Sequence, residues 1–217
     1  MSKSVYSIVL SDDVVAAIDM MALKMGTNRS NLINQLLAER VSVVTPERRM
    51  RDIFDSIFRL MDERFIQDST VGVPTALAFR SSIAYKYKPT VRYSVELLRA
   101  PEGERIGNLK ISFRTRSQAF MNMLGGFFSL WINTERSFNK RVAEYKADND
   151  KLVRAIYFPE GVKAATSEQI GVLISEYIKA FDSALKSYFA YSADDELAAR
   201  AVRKAYTDSL DKGIDRI

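Results

Sequence analysis

Neither cysteine nor histidine occurs anywhere in the 217 residues. The first absence rules out a disulfide framework, a thiolate metal site and a cysteine nucleophile. The second removes Ser-His-Asp and Cys-His catalysis, and together they strip the chain of the usual zinc, nickel and copper ligand sets. A carboxylate site for magnesium is the metal chemistry left open. Glycine and proline are sparse, at 9 and 5 residues. The pair Gly125-Gly126 sits inside an apolar stretch with no Lys-Ser or Lys-Thr behind it, so it is no phosphate loop. Long hydrophobic runs are missing as well. Residues 120–132 are the most apolar stretch, but they are too short to span a bilayer and contain Asn122 and Ser129. MSKSVYSIVL lacks the apolar centre and small-residue cleavage site of a signal peptide. The sequence therefore reads as a cytoplasmic protein with no membrane partner and no cofactor.

What is present is an ordinary globular composition, 47% hydrophobic and 27% charged, with a net charge of +5. The excess is local. Up to Thr45, Lys3, Lys24, Arg29 and Arg40 are matched by Asp12, Asp13, Asp19 and Glu39. Between Arg80 and Arg116, nine Lys and Arg residues face only Glu96, Glu102 and Glu104. Such a surplus suits a polyanionic partner or a solvated sheet face.

The chain opens on an alternation typical of a half-buried strand, residues 4–10, with Tyr6, Ile8 and Leu10 on one face and Val5, Ser7 and Val9 on the other. No further strand pattern occurs until about residue 83, so the cheapest partner for this strand is a second copy of the chain. Ser11, Asp12 and Asp13 suit a helix start, and Val14, Ile18, Met21, Ala22 and Met25 recur at helical spacing up to Gly26. Asn28 caps a second helix with the stripe Leu32, Ile33, Leu36 and Leu37. Thr45-Pro46 reads as the cap and first residue of a third, carrying Ile53, Phe54, Ile57, Leu60, Met61 and Phe65. The domain boundary is set at Thr45, giving domains 1–45 and 46–217.

In the larger domain, residues 82–98 alternate, with Pro89 dividing two strands, and PEGERIGN leads into Leu109, Ile111 and Phe113 as a hairpin. Lys86, Lys88, Arg92, Lys110, Arg114 and Arg116 would then share one basic face. The remainder reads as helical. Phe127, Phe128 and Trp131 belong to a buried helix, and Tyr85, Tyr87 and Tyr93 to the buried face of the strands. Phe138, Val142, Tyr145, Asn149, Leu152 and Ile156 form a short heptad seam in which Asn149 could set register. A long stripe runs over residues 167–191, and Asp194 opens a last helix. The fold class is α+β, mainly helical, with a β-hairpin or small antiparallel sheet in the C-terminal domain.

Strand, helix, glycine-centred turn and helix over the first 45 residues, continuous through LSDDVVAAIDMMALKMGTNRSNLINQLL, resemble the ribbon-helix-helix fold of the Arc, MetJ and CopG repressors. In that family two chains intertwine, and their paired strands enter the major groove of double-stranded DNA. The resemblance implies a homodimer or a tetramer of this chain. Tyr6, Ile8, Leu10, Val14, Ile18, Met21, Leu32, Ile33 and Leu36 would form a shared core too small to stand alone. It also implies that Val5, Ser7 and Val9 face the bases, and that Asn28, Arg29 and Ser30 at the second helix start contact phosphate, with Lys3 adding a contact from the arm. Two valines at base-facing positions offer only apolar contact, where relatives usually carry Arg, Lys, Gln, Asn or Thr.

Three functions compete. The first is a sequence-specific transcriptional regulator, a repressor-like protein that is not an enzyme. The second is an accessory DNA-binding protein of plasmid partition or conjugation, for which the basic face would be a second nucleic-acid contact. The third is a carboxylate and metal enzyme acting on nucleic acid, to which Asp194, Asp195 and Glu196 lend only adjacent carboxylates at a helix start.

Overall fold

A computed structural model describes residues 5–41, 43–69, 74–86, 88–139, 141, 143–159 and 165–217. The chain divides into two compact units, Met1–Arg48 and Arg49–Ile217. Its class is α+β, with six α-helices and one six-stranded antiparallel sheet among the described residues. No helix among them is long and apolar enough to cross a membrane.

The first unit holds α1 (Asp12–Lys24) and α2 (Arg29–Arg40), with Gly26 at φ +61° making the turn between them. Asn28 caps α2, its side chain accepting from the Asn31 amide at 2.9 Å. Only Ile18, Ala22 and Leu32 form its buried cluster, with Ile33 packed against them. Val14, Met21 and Leu36, expected in the same core, are exposed. Residues 5–11 are neither strand nor helix, which departs from the expected strand. The physical reason is that no second strand occurs among the described residues of this unit to supply a ladder, and a lone extended segment gains no hydrogen bonds.

The second unit begins within α3 (Pro46–Leu60), whose cap is Thr45, its Oγ1 accepting from the Arg48 amide at 3.2 Å. The strands are β1 (Ile66–Gln67), β2 (Ala76–Ser82), β3 (Thr90–Glu102), β4 (Arg105–Phe113), β5 (Tyr145–Asp148) and β6 (Lys151–Tyr157), in the order β1-β2-β3-β4-β6-β5. Helices α4 (Gln118–Phe138), α5 (Ser167–Ala190) and α6 (Asp195–Thr207) follow the expected apolar stripes, and two short 3-10 turns end at Arg216. Phe79, Tyr93, Ile111 and Leu152 are register partners across four strands, so their side chains share one face. With Ile53 and Ile57 of α3 and the buried faces of α4, α5 and α6, that face makes a single core centred on Trp131, Phe127 and Phe181.

Three expectations are corrected. From Tyr145 onward the heptad seam is a β-hairpin, Phe138 being the last residue of α4: β5 and β6 pair through Asp148↔Lys151 around Asn149 and Asp150, and Asn149 is exposed in the turn rather than set in a helix pair. Spacings of four and three also suit alternation broken by a two-residue turn, and KLVRAIY is better filled with strand formers than with helix formers. Val142 of that seam and Tyr87 lie outside the described residues. Residues 83–86, 88 and 89 are not strand but belong to the connection after β2, and β2 itself begins earlier than expected, at Ala76. Its alternation is blunted because its second face carries alanine.

Packing of α3 on α5 depends on one absent side chain. A Cβ on Gly171 would lie 2.5 Å from Ser56 Cβ and 2.6 Å from Ser56 Oγ. Gly171→Ala should therefore destabilise this unit by about 1–3 kcal/mol through overpacking. Adding Ser56→Gly should restore part of the stability in thermal melts, and an unshifted Tm for Gly171→Ala would refute the close approach.

Candidate nucleic-acid interface

In the first unit, the residues assigned to base contact are accessible. Val5 and Val9 are each 99% exposed, and Ser7 is exposed too. Tyr6 and Ile8, which a paired ribbon would bury, are 82% and 58% exposed. Lys3 lies outside the described residues. At the start of α2, Asn28 spends its side chain on the cap, while the first amides of the helix, at Arg29 and Ser30, have no acceptor within the helix. Arg29 is not a free cation. It reaches back ten residues to Asp19, with Nε 2.7 Å from Oδ1 and Nη2 2.5 Å from Oδ2. The hydrogen bond from Arg29 holds the Asp19 carboxyl below the usual carboxylate range, against the small opposing effect of desolvation. Sequence reading missed Asp19 as this partner, which lies about two helical turns before Gly26, with Arg29 at the first residue of α2 after it.

In the second unit, the six cations expected on one basic face separate into two groups. Arg92 and Lys110 do point to the same side of the sheet, because Arg92 pairs with Ser112, and Ser94 with Lys110. That side carries a cross-strand row, Arg80, Arg92, Ser112, Lys151 and Asp148, opposite to the core. Asp68, almost fully buried, compensates the directly opposed arginines: its Oδ1 is 2.6 Å from Arg80 Nη2, and its Oδ2 is 2.9 Å from Arg92 Nε. The Arg92 contact is an ion pair without hydrogen-bond geometry. Like charges placed directly across a ladder would otherwise repel, so Asp68 offsets part of the charge on this side of the sheet. Asp68 and Arg80 carry no strand-pattern signal of that pairing in the sequence. Lys86, Lys88, Arg114 and Arg116 lie beyond the strand ends and are exposed.

Two buried polar clusters occur in the same unit, and both are closed. Glu135 Oε1 accepts from Arg154 Nε at 2.9 Å and Nη2 at 2.6 Å, while Oε2 accepts from Tyr177 at 2.6 Å and from the Tyr145 hydroxyl. Arg154 also donates to the backbone oxygens of Ala155 and Ile217, and Trp131 Nε1 donates to the Tyr177 hydroxyl at 2.8 Å. Burial, reinforced by the Glu135 carboxylate, pushes the Tyr145 and Tyr177 hydroxyls far above the ordinary phenol range. In the second cluster, Asp182 accepts from Tyr93 at 2.9 Å and lies 2.7 Å from Lys186 Nζ, which donates to Ser81 at 2.8 Å. Both clusters fix helices to the sheet, and in the second Asp182 Oδ2 meets Lys186 as an ion pair without hydrogen-bond geometry.

The remaining acidic cluster is a helix start. Asp194 Oδ1 accepts from the amides of Glu196 and Leu197 at 3.0 Å each, so it caps α6. Among the described residues, no group of three or more carboxylates is arranged to hold a metal ion. No family model, no curated protein and no solved structure matches the chain.

Proposed function

We propose that the protein is a sequence-specific DNA-binding regulator of repressor type, whose residues 1–45 form a ribbon-helix-helix dimer on operator DNA. One observation carries the reading: the apolar cluster of the first unit is no more than Ile18, Ala22 and Leu32 among the described residues, with Ala38 buried apart from it, and Tyr6, Ile8, Leu10, Val14, Met21 and Leu36 are exposed. An apolar surface of that extent on so small a unit is unstable in water unless another surface covers it. A second copy of the same unit covers it and supplies the missing strand for residues 5–10 at once. The paired ribbon would then expose Val5, Ser7 and Val9 to the major groove, and the α2 amides, with Asn28, Arg29 and Ser30, to flanking phosphates.

Selection of bound fragments from random duplex DNA tests this reading. An enriched palindrome or tandem repeat is the expected result, since a symmetric dimer reads two half-sites. Ser7→Ala should change which bases are preferred more than it changes overall affinity, because base contacts specify and phosphate contacts position. Fragments with no common sequence would overturn the regulator. They would instead favour an accessory DNA-binding protein of plasmid partition or conjugation, a reading to which the exposed cations beyond the strand ends lend support.

A further inference from the structure

Lys86, Lys88, Arg114 and Arg116 are gathered by the fold at one end of the sheet. The connection 83–89 joins β2 to β3, and the registers Ser82↔Thr90 and Val91↔Phe113 set it beside the point where the chain leaves β4. This connection is anchored from below. Ile83 is buried, while the Tyr85 ring packs 5.5 Å from Phe120 and 5.2 Å from Phe189, and its hydroxyl donates to Met123 Sδ at 3.4 Å. Phe113, the last residue of β4, lies 6.1 Å from the same Phe120 ring. Lys86 and Lys88 on one segment, and Arg114 and Arg116 on the other, therefore flank the first turn of α4. Lys88 closes its turn by donating its amide to Tyr85 at 2.9 Å, with φ at +43°. That is a region a lysine enters only when its surroundings impose it.

Unlike Arg80 and Arg92, these cations have no counter-charge among the described residues, which is also true of Arg99, Lys110 and Lys151; what sets them apart is that the fold gathers them at one end of the sheet. All four are exposed, and none forms an ion pair with a described residue. Arg80 and Arg92 have Asp68. The nearest carboxylates by register are Asp148, opposite Lys151, and Asp150, whose backbone oxygen accepts from the Phe113 amide at 2.9 Å. They leave the cations in excess. Uncompensated like charges held on an anchored scaffold repel one another, and a polyanion relieves that cost. Among the described residues of this connection, the Tyr85 ring packs inward on Phe120 and Phe189, and the surface offers ammonium and forked guanidinium donors. Duplex DNA, which carries one phosphate charge for about every 1.7 Å of its axis, supplies that counter-charge whatever its sequence.

We propose that this end of the sheet is a second nucleic-acid site, in which Lys86, Lys88, Arg114 and Arg116 hold the phosphate backbone of duplex DNA irrespective of sequence. It is carried by the second unit and does not depend on how the first unit binds. The test uses the full chain, a random-sequence duplex and a series of salt concentrations. Replacing the four cations together by glutamine should flatten the dependence of log affinity on log salt by about 0.9 for each phosphate that is no longer neutralised, or roughly 3.6 if each residue holds one. A control that neutralises Arg51, Arg59, Arg136 and Arg203 instead should leave the slope unchanged. An equal drop in both variants would mean net charge alone, and an unchanged slope in the first would mean that these cations do not touch the duplex; either result overturns the proposal. So would loss of binding to phosphatidylserine vesicles with the DNA slope intact. Arg29→Gln, measured in parallel, separates this site from the N-terminal one. If only the N-terminal unit binds DNA, Arg29→Gln alone weakens it, and if only the sheet end binds, the glutamine variant alone does.

Discussion

Glu135→Ala should cost the protein about 3–5 kcal/mol of stability, because it leaves the Arg154 guanidinium buried with no carboxylate beside it. For a domain of this size that is a fall in Tm of roughly 6–20 °C. Arg154 and Glu135 are 1% exposed, and their pairing joins α4 to β6, while Tyr145 and Tyr177 bring β5 and α5 to the same carboxylate. Removing both charges with Glu135→Leu and Arg154→Met should hurt less than Glu135→Ala alone, since no unpaired ion is left inside. A Tm for Glu135→Ala within about 2 °C of the parent would show that water reaches and solvates Arg154. The cluster also sets an alkaline limit. Tyr145 and Tyr177 hold their protons in the fold above the ordinary phenol value, whereas in the unfolded chain they ionise near pH ~10. Their contribution is therefore complete below about pH 10 and is lost as pH rises beyond it. Tyr145→Phe should make melting less sensitive to pH in that range.

Helices were legible wherever one face alone is apolar. The stripes of α3 and α5 and the Asp194 cap of α6 could be read off the chain because period and cap agree. The β3 to β4 hairpin was legible for a similar reason, with Gly103 at φ +61° in a turn between alternating strands. β5 and β6 were not, since Arg154 occupies a core-facing position between Leu152 and Ile156 and breaks the alternation that marks a strand. Only a distant carboxylate, Glu135, makes that arginine tolerable, and no local pattern announces it. The basic face fails for the same reason in reverse. Cation spacing in the sequence says nothing of Asp68, which pairs with both Arg80 and Arg92, nor of the Tyr85 anchor that brings Lys86 and Lys88 beside Arg114 and Arg116. Residues 5–10 are a different case, because their alternation is plain and the chain by itself has nothing to pair with it.

That unpaired segment gives the proposal for DNA binding its sharpest test. In a symmetric dimer each substitution is made twice, so placing aspartate at Ile8 and at Leu36 would remove four apolar side chains from one shared core. Full burial of an aliphatic side chain is worth about 1.5–3 kcal/mol. Even if half of that is realised at each position, Ile8→Asp with Leu36→Asp should weaken association by about 3–6 kcal/mol, or roughly 100-fold to 10,000-fold. Sedimentation equilibrium should then find monomers at concentrations where the parent is dimeric. Operator binding should fall with the dimer, since a single chain cannot form a two-stranded ribbon. The second unit provides the control: its core cluster includes neither residue, so its melting transition should stay where it was. A double variant that still dimerises would mean that the exposed apolar face of the first unit is not what joins the chains. One that becomes monomeric yet binds operator as tightly as the parent would mean that the paired ribbon is not the reading element.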